Sequence, residues 1–291
     1  MIDLHMHSTC SDGTDEVEKL IENINKKGVD CFSLTDHDTA EGCRRILSED
    51  ALKTKLKDYK IDFVSGAEWT CIYGGQKMHI LTYGFNPFDE VVLNLEKEMR
   101  NLLDRKDEFR KEELEKKGFI LSDKSKQYLS TKENVRSLDF ARCLVDDGYF
   151  SNLQEAFKEC LNKLKPPFQT KLDAVDVIIK MKSIGAKVVW AHSIYDMKRK
   201  ITPFEEVERI IKELRPYGLD GLECYYSLYS KGEIDRLIEI AKRNDLFITS
   251  GSDYHGENKE VAIGCFSADG TNPDLSNIKI YDIFKNIVRN S

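Results

Sequence analysis

Short apolar runs alternate with amphipathic stretches along most of this chain. Runs rich in Val, Ile, Leu, Phe and Tyr predict strands at residues 2–5, 31–35, 62–66, 79–83, 187–191, 221–225 and 246–250. Between several of them apolar residues recur at helical spacing, which predicts helices over 15–27, 173–183, 202–215 and 230–244. The helix starts carry signals of their own. Asp15 and Glu18 have capping-box spacing, Asp173 stands at a cap position, and Thr202-Pro203 places a capping Thr before a first-turn Pro. Gly28 and Gly185 follow two of the helix ends. Strands alternating with helices predict an α/β fold on a parallel sheet, open or closed into a barrel.

One region breaks the rhythm. From about Val91 to Pro167 no strand pattern occurs, and Val91, Leu95, Met99, Leu102 and Leu103 recur at helical spacing. The charge run KDEFRKEELEKKG reads as a solvated helix face, and more helical pattern follows at 139–147 and 152–164. The chain therefore divides into an α/β body, 1–90 with 168–291, and a helical insertion or cap, 91–167.

Composition narrows the class. The 291 residues are 41% hydrophobic and 33% charged, with a formal net charge of −7, so no global basic field exists for a long nucleic acid polymer. A small anionic substrate stays open, because bound cations can reverse the sign of a site. No run approaches the roughly 20 apolar residues that span a bilayer. The opening MIDLHMHST runs straight into the first predicted strand, which leaves no room for a cleavable leader. Eight Cys occur without a C-x-x-C pair, several inside apolar runs, as expected of buried reduced thiols in a cytoplasmic protein.

Candidate chemistry gathers on the six His: His5, His7, His37, His79, His192 and His255. A single His at a strand end is more often a hydrogen-bonded boundary residue than a ligand. Their common placement changes that weighing. His5 and His7 form H-x-H, which on a strand puts both imidazoles on one face. Five of the six lie at or just past the carboxyl end of a predicted strand, where parallel α/β folds carry their sites. Asp12, Asp36, Asp38, Glu68 and Asp253 accompany them, with Glu68 expected at a strand end. Imidazoles and carboxylates without a thiolate suit Mn, Fe or Zn in a hydrolytic site, and several negative ligands can hold two or more divalent cations. Asp36 and Asp38, which flank His37, read as supporting groups.

These motifs resemble those of the PHP (polymerase and histidinol phosphatase) phosphoesterases. The matching pieces are HMH at 5–7, Ser11-Asp12-Gly13, TDHDT at 35–39, GAE at 66–68, His79, AHS at 191–193 and GSDYH at 251–255, in family order along the whole chain. The resemblance implies a distorted (βα)7 barrel with a mainly helical insertion and a site for two or three divalent metal ions. By resemblance, His5, His7, Glu68 and Asp253 would hold one cation. Glu68 would bridge to a second, held also by His79 and His192, and Asp12, His37 and His255 would hold a third. The implied nucleophile is a hydroxide held beside Glu68 and Asp253.

Within the family the chain looks like the branch with a helical insertion, which includes phosphatases of 3′,5′-nucleoside bisphosphates and of short 5′-phosphorylated oligonucleotides. The stretch VRSLDFARCLVDDGYF at 135–150 resembles its insertion motif and makes Arg136 and Arg142 candidate phosphate contacts; ordinary helix-surface arginines are the equal alternative. There are departures. The insertion motif lacks a His, Ala191-His192 is followed by Ser193, and Cys224-Tyr225-Tyr226-Ser227 stands where relatives often have His-Pro. Two other readings compete: another phosphatase of the family, such as one for histidinol phosphate, and a noncatalytic PHP module. The presence of every expected ligand weighs against the second.

Overall fold

The computed structural model describes residues 1–132, 135, 137–195 and 202–273. The chain forms two compact units, Met1–Glu96 with Leu172–Ser291, and Lys97–Lys171.

In the first unit the elements run β1 (Ile2–Asp3), α1 (Val17–Lys26), β2 (Cys31–Leu34), α2 (Glu41–Ser48), α3 (Asp50–Tyr59), β3 (Asp62–Tyr73) and β4 (Gln76–Tyr83). α4 (Glu90–Lys116) leads into the second unit, which holds α5 (Asp123–Ser130), α6 (Ser137–Asp146) and α7 (Leu153–Glu159). The first unit resumes with β5 (Leu172–Asp173), α8 (Ala174–Ser183), β6 (Lys187–Trp190), α9 (Phe204–Leu214), β7 (Gly221–Tyr226), α10 (Lys231–Arg243) and β8 (Phe247–Gly251).

Seven strands pair in the order β1-β2-β3-β4-β6-β7-β8, and short β5 adds to β3. The ring is nearly closed by bonds between the first and last strands and the segments that extend them. The Leu4 N–H donates to the Ser250 carbonyl (3.0 Å), Asp253 N–H to His5 (2.7 Å) and His7 N–H to Tyr254 (2.9 Å). The expected barrel is therefore observed. One feature departs from a purely parallel sheet: β4 is antiparallel to both β3 and β6. Its cause is a tight hairpin. Gly74 and Gly75, at φ 55° and 79°, make the two-residue turn between Tyr73 and Gln76, a conformation glycine adopts without steric cost. β3 thereby extends far beyond the expected 62–66, and Glu68 sits inside it rather than at its end.

The helices cover the sheet with periodic apolar faces. In α1 the buried residues are Val17, Leu20, Ile21 and Ile24, one stripe at helical spacing. Each such side chain contributes about 1.5–3 kcal/mol on burial. Two helix starts differ from expectation. Asp15 does not cap α1; it accepts from Asn23 Nδ2 and the Tyr254 hydroxyl, both at 2.8 Å. α9 starts at Phe204 after Pro203, while Thr202 gives its N–H to the Ile194 carbonyl. Asp173 and Ser230 do cap, the latter in a full capping box with Glu233.

The second unit has its own core of Leu114, Leu129, Phe140, Cys143, Leu144 and Ala156. Among its described residues no strand occurs.

Candidate metal centre

The strand ends and the loops that follow them bring nine of the predicted side chains together: His5, His7, Asp12, His37, Glu68, His79, His192, Asp253 and His255. Three groups within them have ligand atoms mutually within 4.8 Å: His5, His7, Glu68 and Asp253; His7, Asp12, His37 and His255; His37, Glu68 and His79. His192 joins the last of these, with Nε2 3.0 Å from Glu68 Oε1 and 3.1 Å from His79 Nδ1.

Glu68 is the hub. Its fully buried carboxylate has His79 Nδ1 at 2.7 Å and His192 Nε2 at 3.0 Å from Oε1. Around Oε2 stand His5 Nε2 and His7 Nε2 at 3.1 Å and His37 Nδ1 at 3.2 Å. Asp253 Oδ1 faces His5 Nε2 (3.4 Å), His7 Nε2 (3.3 Å) and His255 Nδ1 (3.4 Å). Asp12 Oδ1 lies 3.2 Å from His255 Nε2.

His79, which the parallel-sheet expectation leaves at the wrong end of its strand, reaches the site because β4 runs backwards. The start of an antiparallel strand lies at the same rim as the ends of its neighbours, and His79 is paired with Thr70 of β3.

Several of these close nitrogen–oxygen pairs are not hydrogen bonds. His5 Nε2, His7 Nε2, His37 Nδ1, His79 Nε2 and Glu68 Oε2 are all buried with no hydrogen-bond partner. A buried polar atom without a partner costs about 1–3 kcal/mol, so five at one place call for a partner of another kind. Borderline nitrogen and hard oxygen donors converging in this way fit divalent cations of the Mn, Fe or Zn kind. The donor set therefore fits a multinuclear metal site.

Electrostatics agree. Burial alone would raise the Glu68 pKa, yet His37, His5 and His79 hold it well below the usual carboxylate range. Burial likewise opposes, but His5, His7 and Lys259 hold Asp253 low too. Burial would lower His7, but the Asp253 and Glu68 carboxylates beside it push it up to about 9. His79 moves the other way, down to about 3, because burial outweighs Glu68. Without ions, the surrounding carboxylates thus favour protons on His5 and His7, while burial disfavours them on His37, His79 and His255.

Supporting groups fix the geometry. Glu223, on β7, was not singled out in the sequence. Its buried carboxylate accepts from His5 Nδ1 (2.9 Å) at Oε1 and from the His192 N–H (2.8 Å) at Oε2. A carboxylate there keeps the proton on Nδ1 and turns the Nε2 lone pair inward. Its only sequence signal is a charged residue inside the apolar run GLECYY. Asp36 ties the loop after β1 instead of a His, accepting from Ser8 N–H (2.8 Å), Ser8 Oγ (2.8 Å) and Ser11 Oγ (2.7 Å). Asp38 accepts the Thr70 N–H (2.6 Å), and burial pushes its pKa up to about 6. His192 and Asp253 have left-handed backbones, φ 30° and 56°, a strain of about 1–3 kcal/mol each that clusters at functional sites.

Beside His79 and His192 lies an open cleft, bordered also by Tyr73, Met78, Trp190 and Tyr195. The cluster is built wholly from first-unit residues. Of the two arginines expected to meet phosphate, Arg142 is exposed on α6 in the second unit, and Arg136 lies outside the described residues. Among the described residues no helix is long and apolar enough to cross a membrane.

The chain is similar to known proteins in both sequence and fold. The family profile described as PHP domain matches residues 3–245. A 5′-3′ exoribonuclease of Haemophilus influenzae is 29% identical over 257 residues, covering 87% of this chain and 89% of that protein. A 3′,5′-nucleoside bisphosphate phosphatase of Chromobacterium violaceum is 28% identical over 268 residues, 87% of each. A crystal structure from Bifidobacterium adolescentis, assigned as a metal-dependent phosphoesterase, superposes with a TM-score of 0.70 at 25% identity, covering 95% of this chain and 96% of that one.

Proposed function

The chain belongs to the PHP domain family of metal-dependent phosphoesterases, and we propose that it hydrolyses a phosphomonoester of a 3′,5′-nucleoside bisphosphate or of short 5′-phosphorylated oligonucleotides. The observation that carries the reading is the cluster of imidazoles and carboxylates around Glu68, with five buried atoms lacking any hydrogen bond. The two relatives act on a nucleoside bisphosphate and on RNA, which supports a nucleotide substrate. The open cleft beside His79 and His192 has aromatic walls, a surface on which a base can stack.

In this reading His5, His7, Glu68 and Asp253 would hold one cation, Glu68, His79 and His192 a second, and Asp12, His37 and His255 a third. Divalent cations supply charge neutralisation of phosphoryl oxygens and an ionised water as nucleophile at neutral pH. Glu68 and Asp253, whose charge is maintained by the surrounding imidazoles, would stand beside that nucleophile. Glu223 keeps His5 and the His192 backbone in register, so the ligand atoms need little rearrangement. Arg136 and Arg142 remain candidates for the distal phosphate.

The test is phosphate release from adenosine 3′,5′-bisphosphate, a short 5′-phosphorylated oligoribonucleotide and histidinol phosphate, each with Mn²⁺. Faster turnover of either nucleotide is expected. Much faster turnover of histidinol phosphate would assign the chain to a different phosphatase activity, and no turnover of any after metal loading would leave the noncatalytic module.

A further inference from the structure

Asp253 divides its two oxygens between different neighbours. Oδ1 faces the imidazoles of His5, His7 and His255. Oδ2 accepts from the Tyr226 hydroxyl at 3.0 Å and from Lys259 Nζ at 2.5 Å. The two donors differ in character. Tyr226 ends β7, is 7% exposed, and packs its ring against His192 and Tyr229, with centroids 5.4 and 5.1 Å away. Lys259 comes from the loop after β8, and its side chain is 38% exposed while the carboxylate it meets is 4% exposed. One donor is fixed in the wall; the other reaches in from solvent.

A carboxylate that only needed bracing would be held by the buried hydroxyl. The partly exposed Lys259 side chain adds a positive charge at the outer oxygen of Asp253. When cations share the charge of Asp253, the pull of that carboxylate on Lys259 weakens. A phosphoryl dianion then becomes the stronger partner for an ammonium that carries three donors. Two donors that converge on one carboxylate oxygen are also spaced to converge on one tetrahedral anion.

We propose that Tyr226 and Lys259 form a donor pair that binds the phosphoryl group undergoing hydrolysis, with Tyr226 as the fixed member and Lys259 as the charged, mobile one. This rests on the phosphoesterase reading and adds to it the residues that grip the reacting phosphate. The pair stands in the first unit, apart from the two insertion arginines in sequence.

The test uses the full chain loaded with Mn²⁺, titrated with inorganic phosphate in a calorimeter, with metal content measured on the same samples. The variants are Lys259→Met, Lys259→Arg and Tyr226→Phe. Wild type is expected to bind phosphate. Lys259→Met and Tyr226→Phe should each weaken that binding about tenfold or more at unchanged metal content, since hydrogen bonds to charged groups are among the strong ones. Lys259→Arg should recover part of the loss. Wild-type phosphate affinity in Lys259→Met and Tyr226→Phe at full metal content would overturn the proposal while leaving the phosphoesterase reading intact. Loss of metal with unchanged phosphate affinity per loaded site would overturn it too, by making both residues braces of Asp253. A metal-loaded wild type that binds no phosphate and hydrolyses no phosphoester would remove the phosphoesterase reading itself, and the proposal with it.

Discussion

Glu223→Gln is the sharpest single perturbation of the centre, because it alters no ligand and almost no volume. Glu223 is fully buried and accepts two hydrogen bonds, one on each oxygen, from His5 Nδ1 at 2.9 Å and the His192 N–H at 2.8 Å. A glutamine offers one oxygen and one amide nitrogen. If the oxygen keeps the His192 N–H, the amide points its hydrogens at His5 Nδ1. His5 must then move its proton to Nε2 or lose the contact. A proton on Nε2 occupies the lone pair that faces Glu68 and Asp253. If the oxygen instead keeps His5, the His192 backbone N–H meets a donor and its left-handed φ of 30° loses its anchor.

Either way one metal ligand is misdirected. Losing such a supporting carboxylate typically lowers metal affinity about 10- to 100-fold, which is roughly 1.4–2.7 kcal/mol. The assay is competition of Mn²⁺ or Zn²⁺ with a chromophoric chelator at fixed pH, on wild type and variant. Circular dichroism on the same samples separates metal loss from unfolding. Affinity within twofold of wild type, with the fold intact, would refute the argument that Glu223 sets the His5 proton.

Four further outcomes follow from the same geometry. In the ion-free protein His7 is pushed up to about 9 by Asp253 and Glu68 against the effect of burial, so a cation must displace its proton; metal affinity should fall as pH drops from 9 to 7, measured by titration in buffers of different ionisation enthalpy, and a pH-independent affinity would contradict this. For folding the sign is opposite: a raised His pKa contributes stability to the ion-free form that is complete below about 6.5 and lost as pH rises through about 9, visible as a falling melting temperature of chelated protein over that window. Gly13→Ala would put a Cβ 2.4 Å from the His7 carbonyl oxygen and 2.9 Å from Ser8 Cα, so the Asp12 loop must shift; we expect one cation fewer per chain by elemental analysis and a stability loss of about 1–3 kcal/mol. Phe140→Ala removes a fully buried ring from the second unit's core and should cost about 3–5 kcal/mol there, while metal content persists because all the clustered ligands belong to the first unit; loss of metal in that variant would show the two units to be coupled.

Most of the site was legible in the chain because its ligands follow strands, and strands announce themselves. His5 and His7 share a face by the period of two, and His37, His192 and His255 lie beyond apolar runs that the sheet does bury. The helix starts at Asp173 and Ser230 were readable for the same local reason: a short polar side chain meets free N–H groups one turn on. Asp15 failed as a cap because tertiary partners, Asn23 and Tyr254, hold its carboxylate, and sequence spacing cannot see those. Glu223 escaped notice because nothing local distinguishes it. Its meaning comes from His5, 218 positions away.

The misplaced elements are connected by one cause. Reading 62–66 and 79–83 as two parallel strands hid the Gly74-Gly75 turn, and with it the length of β3 and the direction of β4. Direction matters to the chemistry. A parallel β4 would carry His79 to the rim away from the other ligands, whereas the hairpin returns its first half to the rim where His192 follows β6. The same extension of β3 places Glu68 inside the strand, bonded to its neighbours along the backbone and unable to move as a loop residue could. A bridging ligand gains from that rigidity. Its two oxygens face five imidazoles, and each displacement would be felt at all of them. The antiparallel strand thus serves the site twice, by delivering His79 and by fixing Glu68. A substitution that loosens the Gly74-Gly75 turn should therefore act on metal binding from a distance, through the register of β3 against β4.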